Sequence, residues 1–147
     1  MTDNDIKTSL RRMLDGLVVL DFTRMLAGPF CTSILADMGA TVIKVEPPGG
    51  DDQRKIGALR GDHSISFEII NRSKKSICID LKREEGRAIA RQLVSRSDIL
   101  IENYRPGVAE NLGIGYEDCQ LINPRLIYAS ISGFGQNGPM MKAPSYD

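Results

Sequence analysis

The chain has 147 residues, 41% apolar and 26% charged, an ordinary soluble composition long enough for one domain with a real core. Lysine plus arginine and aspartate plus glutamate both number 19, so the formal net charge is zero and nothing points to bulk nucleic-acid or membrane-surface binding. No apolar run reaches the length of a membrane span, and the start Thr2-Asp3-Asn4-Asp5 is acidic where a signal peptide is basic.

Residues 1–13 read as a polar lead-in. Leu17-Val18-Val19-Leu20-Asp21 is a short apolar run closed by an acid, the pattern of a buried parallel strand. Gly28-Pro29 opens a helix, and Cys31, Ile34, Leu35 and Met38 recur at spacings that give it one apolar face. Gly39 stops it. Thr41-Val42-Ile43-Lys44-Val45-Glu46 is a second strand, ended by Pro47-Pro48-Gly49-Gly50. Residues 51–66 read as polar and irregular. A third strand is expected at Ser76–Asp80, then a helix over 83–95 with Gly86, Ile89, Ala90 and Leu93 on one face. Asp98–Glu102 is the fourth strand, 108–112 and 116–122 are short helical patterns, and Leu126–Ile131 is the fifth strand. Residues 132–147 read as loop. Cys31, Cys78 and Cys119 match no metal spacing and lie in apolar stretches, so they read as reduced core residues of a cytoplasmic protein.

Alternating strands and helices define an α/β fold, a Rossmann-like open parallel sheet with flanking helices. The absence of a helix after the fifth strand is read as a truncated domain. Ligands of such sheets bind beyond the carboxyl ends of the strands, here 21–28, 46–52, 80–83, 102–107 and 131–139. Gly28 at a helix start suits an anion, although on this pattern alone a tight strand-to-helix turn is the better reading. Glu46 stands where a dinucleotide-binding domain places its ribose-binding acid, but no G-x-G-x-x-G is present. Lys74 and Lys75 read as a solvated charged edge. Glu102-Asn103-Tyr104-Arg105-Pro106-Gly107 combines amide, ring and guanidinium, as a base-and-phosphate site or a capped turn would. His63, the single histidine, has no partner in view and is given no catalytic role.

Several ordered stretches resemble the class III CoA-transferases, the family of formyl-CoA transferase and carnitine CoA-transferase with α-methylacyl-CoA racemase as a relative. They are Leu14-Asp15-Gly16, Val19-Leu20-Asp21-Phe22-Thr23, Ala27-Gly28-Pro29, Leu35-Ala36-Asp37-Met38-Gly39-Ala40 and Val42-Ile43-Lys44-Val45-Glu46. Asn71-Arg72-Ser73-Lys74-Lys75-Ser76, Asp80-Leu81-Lys82, Glu102-Asn103-Tyr104-Arg105-Pro106-Gly107, Gly113-Ile114-Gly115-Tyr116, Ser132-Gly133-Phe134-Gly135-Gln136-Asn137-Gly138-Pro139 and Tyr146-Asp147 continue the series. The resemblance implies that residues 14–147 are the N-terminal part of the large, CoA-binding domain. It implies CoA contacts at Met25, Leu26, Ala27, Ile79, Asp80, Leu81, Lys82, Asn103, Tyr104 and Arg105. CoA or acyl-CoA then enters as substrate, with a carboxylate acceptor and no metal or covalently bound cofactor. Pro47 and Asn111 stand where formyl-CoA transferase or many of its relatives carry arginine, which shifts the phosphate grip toward other cations such as Arg24 or Arg72.

The implied nucleophile is an aspartate beyond Asp147, with Tyr146 and Asp147 lining the active site and no catalytic residue within the chain. In the racemases a histidine takes the place of Tyr146, so transfer is the first reading. A racemase-like fragment and a non-catalytic CoA-binding or partner-binding module are the alternatives. Full-length members form interlocked homodimers. No nucleic acid or membrane partner is expected.

Overall fold

The computed structural model describes residues 11–145, so Tyr146, Asp147 and the lead-in up to residue 10 lie outside the described residues. In chain order the elements are β1 (Val18–Asp21), α1 (Ala27–Asp37), β2 (Thr41–Glu46), a 3-10 turn (Asp52–Lys55), β3 (Leu59–Arg60), β4 (His63–Ser64) and α2 (Ile65–Ile70). Then come β5 (Lys75–Cys78), α3 (Glu84–Val94), β6 (Ile99–Glu102), α4 (Val108–Asn111), α5 (Tyr116–Ile122) and β7 (Ile127–Ser130). Five strands make one sheet in the order β5-β2-β1-β6-β7, every neighbour parallel. This is the α/β fold expected.

Alternation along the strands sorts the core into two layers. Val19, Val42 and Ile101 face α1 with Ala36 and Ala40, whereas Leu20, Val45 and Leu100 face the other way, onto Ala90, Val94, Ala109, Ile114 and Cys119. Chain progress runs from β1 outward to β2 and β5, then returns across the sheet to β6 and β7. Direction therefore reverses between β1 and β6, and a crevice opens beyond their carboxyl ends.

Two helix faces differ from expectation. In α1 the buried positions are Gly28, Pro29, Thr32, Ser33 and Ala36, and Ile34 is 42% exposed. Small side chains let this helix press on the end of β1, Cys31 and Leu35 of the expected face pack partly buried against the core, and Phe30 and Ile34 turn outward. In α3 the buried face is Gly86, Ala90 and Val94, with Ile89 exposed. Cys119 is a core residue, but Cys31 is only partly buried and Cys78 lies exposed on the edge strand β5. Residues 51–66 also carry more order than expected. Ser64 caps α2 by accepting from the Phe67 amide, and Arg54 sits 3.9 Å over the Phe67 ring.

Candidate functional site

The loop after β1 is built around Asp21, which is fully buried. Its carboxylate accepts from the Thr23 amide (2.9 Å), the Thr23 hydroxyl (2.5 Å), the Thr32 hydroxyl (2.6 Å) and the Lys74 ammonium (3.1 Å). Lys74 also donates to the Pro29 carbonyl and to Asn71 Oδ1, and only 2% of its side chain is exposed. Burial pulls the Lys74 ammonium below its ordinary range, and the Asp21 charge opposes that. The reading of Lys74 as a solvated edge is thus corrected, whereas Lys75 is exposed.

Lys44 is the second buried cation, 1% exposed. It donates to the Thr23 carbonyl at 2.8 Å and lies 2.9 Å from Asp51 Oδ2, off the line of a hydrogen bond, so the latter contact is a charge pair. Glu46 completes the layer. Its carboxylate takes Arg54 through two nitrogens (2.6 and 2.7 Å), the Ser76 hydroxyl (2.6 Å) and the Asp51 amide (3.0 Å). Burial pushes the Glu46 carboxyl up, but these donors outweigh it and hold it at about 2. Glu46, satisfied by protein donors, is not free to bind a ribose. Asp21, Glu46 and Asp51 are thus balanced by Lys44, Arg54 and Lys74, and together they fix the floor beneath the strand ends.

Above this floor, Met25 adopts a left-handed conformation (φ 66°), uncommon for a residue with a side chain. Arg24, just before it, is tied to the loop after β6. Its amide donates to Asn103 Oδ1 and its carbonyl accepts from Asn103 Nδ2, both at 2.8 Å. Met25–Ala27 and Asn103–Arg105 are therefore brought together at the crevice. Leu26 and Ala27 are exposed there. Arg24 directs its guanidinium to Asp52 (2.5 Å). Arg72 pairs with Asp37 at the far end of α1, so it does not join the crevice.

Tyr104 is partly buried, its ring packs on the core, and burial pushes its phenol up to about 12. Its amide donates to Glu102, whose carboxyl burial raises. Ile79–Lys82 follow β5, two strands from β1, roughly 10 Å away at the usual strand spacing. Ile79 and Leu81 are buried, and Asp80 Oδ1 holds the Lys82 amide at 3.0 Å. A shallow concavity here is lined by Ile79, Asp80, Arg83, Glu85, Gly86 and Ile89. Lys82 and Arg105 are exposed, and neither forms an ion pair among the described residues. His63 is exposed, 3.6 Å from Glu68. Among the described residues no cluster of ligating side chains could hold a metal ion, and no helix is long and apolar enough to cross a membrane.

The model of CoA-transferase family III matches residues 14–147. An acetyl-CoA:oxalate CoA-transferase of Acetobacter aceti is 55% identical over 134 residues, 90% of this chain and 34% of that protein. A succinyl-CoA:glutarate CoA-transferase of Mus musculus is 48% identical over 136 residues, 91% of this chain and 31% of that protein. Among solved structures, a CAIB/BAIF family protein from Brucella suis superposes with a TM-score of 0.88 at 44% identity, over 94% of this chain and 38% of that one. The chain spans about a third of the length of the curated relatives it matches.

Proposed function

The chain belongs to CoA-transferase family III, and on that premise we propose that it carries the CoA-binding loops of an acyl-CoA:carboxylate CoA-transferase. The observation that supports this most is the meeting of Met25–Ala27 and Asn103–Arg105 at the reversal point of the sheet. Lys82 and Arg105, exposed and unpaired with any carboxylate among the described residues, suit the phosphates at the nucleotide end of CoA. Exposed Leu26 and Ala27 suit the pantetheine arm, which needs apolar walls and backbone hydrogen bonds. Relatives named for oxalate and glutarate transfer favour a small dicarboxylate as acceptor.

The chemistry of the proposal is covalent. An aspartate attacks the acyl-CoA carbonyl and expels CoA thiolate, leaving a mixed anhydride. The thiolate attacks the aspartyl carbonyl, releasing the first carboxylate and leaving an enzyme thioester. The acceptor carboxylate then displaces the thiolate, which attacks the acceptor carbonyl and frees the aspartate. The resemblance sets that aspartate beyond Asp147, with Tyr146 and Asp147 as lining. Residues 1–147 alone are accordingly expected to bind CoA without turnover, as the N-terminal part of the CoA-binding domain of an interlocked homodimer. Calorimetry with CoA and with NAD tests the reading. CoA binding that exceeds NAD binding is expected, and NAD binding without a response to CoA would overturn it.

A further inference from the structure

The last backbone rung between β1 and β6 is the bond from the Phe22 amide to the Ile101 carbonyl, 2.9 Å. Beyond it the two chains part to form the crevice, yet one more pair of hydrogen bonds spans the gap. The carboxamide of Asn103 meets the backbone of Arg24 as a peptide group would, accepting from its N–H and donating to its C=O. A primary amide has the donor and acceptor side by side that this needs, and an Asn side chain places them one residue past the strand. The next residue is Met25 in its left-handed turn, followed by Leu26 and Ala27.

We propose that Asn103 is a positioning residue for ligand binding: its amide continues the sheet across the reversal point and holds Met25–Ala27 in the conformation that receives CoA. This refines the direct CoA contact expected for Asn103, and it rests on the CoA-binding reading for its ligand. Loss of the clasp frees the Arg24 amide and lets Met25 relax from its uncommon backbone angle. An isosteric carboxylate still accepts from the Arg24 amide, but its second oxygen cannot donate to the Arg24 carbonyl and is repelled by it, which weakens the clasp, whereas the same group protonated presents one donor and one acceptor and completes the pair again.

The test is amide hydrogen exchange at Arg24 together with CoA calorimetry, on the unsubstituted chain, Asn103→Ala and Asn103→Asp. Asn103→Ala is expected to lose about tenfold in Arg24 protection and about tenfold in CoA affinity, equivalent to roughly 1.4 kcal/mol, and Asn103→Asp, which keeps an acceptor for the Arg24 amide, to lose a smaller part of each. In Asn103→Asp both should return toward those of the unsubstituted chain at the same pH as acidification protonates the new carboxyl. That variant also keeps the test open if Asn103→Ala does not fold. Reduced CoA affinity with Arg24 protection intact would overturn the proposal, because Asn103 would then touch CoA itself. Lost protection with unchanged affinity would overturn it too, leaving the clasp as scaffold only. If the unsubstituted chain binds no CoA, the functional reading fails instead, and Arg24 exchange in the same samples still decides whether the clasp holds the loop.

Discussion

Replacing Gly86 by alanine should destabilise the chain, the reverse of what the substitution does in an open helix. Gly86 lies in the first turn of α3, where alanine ordinarily gains about 1 kcal/mol over glycine. A methyl carbon at this position would stand 2.0 Å from the Asp80 carbonyl oxygen, 2.7 Å from the Asp80 carbonyl carbon and 3.2 Å from Ile79 Cγ2. Ordinary contact needs more than 3 Å, so the helix or the loop after β5 must retreat by roughly 1 Å. The obstacle is backbone rather than a flexible side-chain end. A 2.0 Å approach to backbone puts this in the upper part of the overpacking range, about 2–3 kcal/mol, which exceeds the propensity gain and leaves a net loss of about 1–2 kcal/mol. In a chain of this size that lowers the melting temperature by roughly 3–6 °C. Thermal and urea unfolding of Gly86→Ala beside the unsubstituted chain measures it. A variant more stable by 0.5 kcal/mol or more would refute the close seating of α3 on Asp80, at about the lower end of the ordinary glycine-to-alanine gain.

Lys74→Met should cost about 3–5 kcal/mol, because it strands the Asp21 carboxylate in a buried site, and adding Asp21→Asn should recover much of that loss. Equal destabilisation in the single and double variants, by urea unfolding, would contradict the pairing. The Glu46 carboxyl, held at about 2 against an ordinary 4.5, contributes stability that is present above the ordinary value and is lost as pH falls toward 2. Screening at half-exposed Arg54 limits this to about 1–2 kcal/mol, and Arg54→Gln should flatten the acid limb of the stability-pH curve. An unchanged limb would remove Glu46 from the account. Leu26, just ahead of α1, and Phe30 and Ile34 on it form an exposed stripe, so light scattering should show association that rises with concentration and that Phe30→Glu reduces. A monodisperse monomer at every concentration would contradict it.

The five parallel strands and the principal helices were legible because each is a short apolar run or a periodic pattern bounded by glycine or proline. The Met25–Ala27 and Asn103–Arg105 loops could be named from the family resemblance, and strand order then brought them together. Lys44 and Lys74 were not legible. Lys44 looked like one polar residue in a strand and Lys74 like surface, since their partners Asp51 and Asp21 become neighbours only through folding. The 3-10 turn, the two-residue strands β3 and β4 and the six-residue α2 are too short to show a period. The expected apolar face of α1 holds at Cys31 and Leu35, which pack on the core, but not at Ile34, because close seating at the crevice selects Gly28, Thr32 and Ser33 for the fully buried positions. A complete side-chain clasp such as that of Asn103 leaves no sequence signature beyond the asparagine itself.

Amide chemical-shift mapping with CoA tests the central claim most directly. On addition of CoA, the largest changes should fall at Met25–Ala27, Ile79–Lys82 and Asn103–Arg105, and Lys82→Ala and Arg105→Ala should each weaken binding without lowering the melting temperature. Changes clustered instead around Ser95–Asp98, Asn123 and Arg125, at the amino ends of the strands, would contradict a CoA site at the reversal point of the sheet.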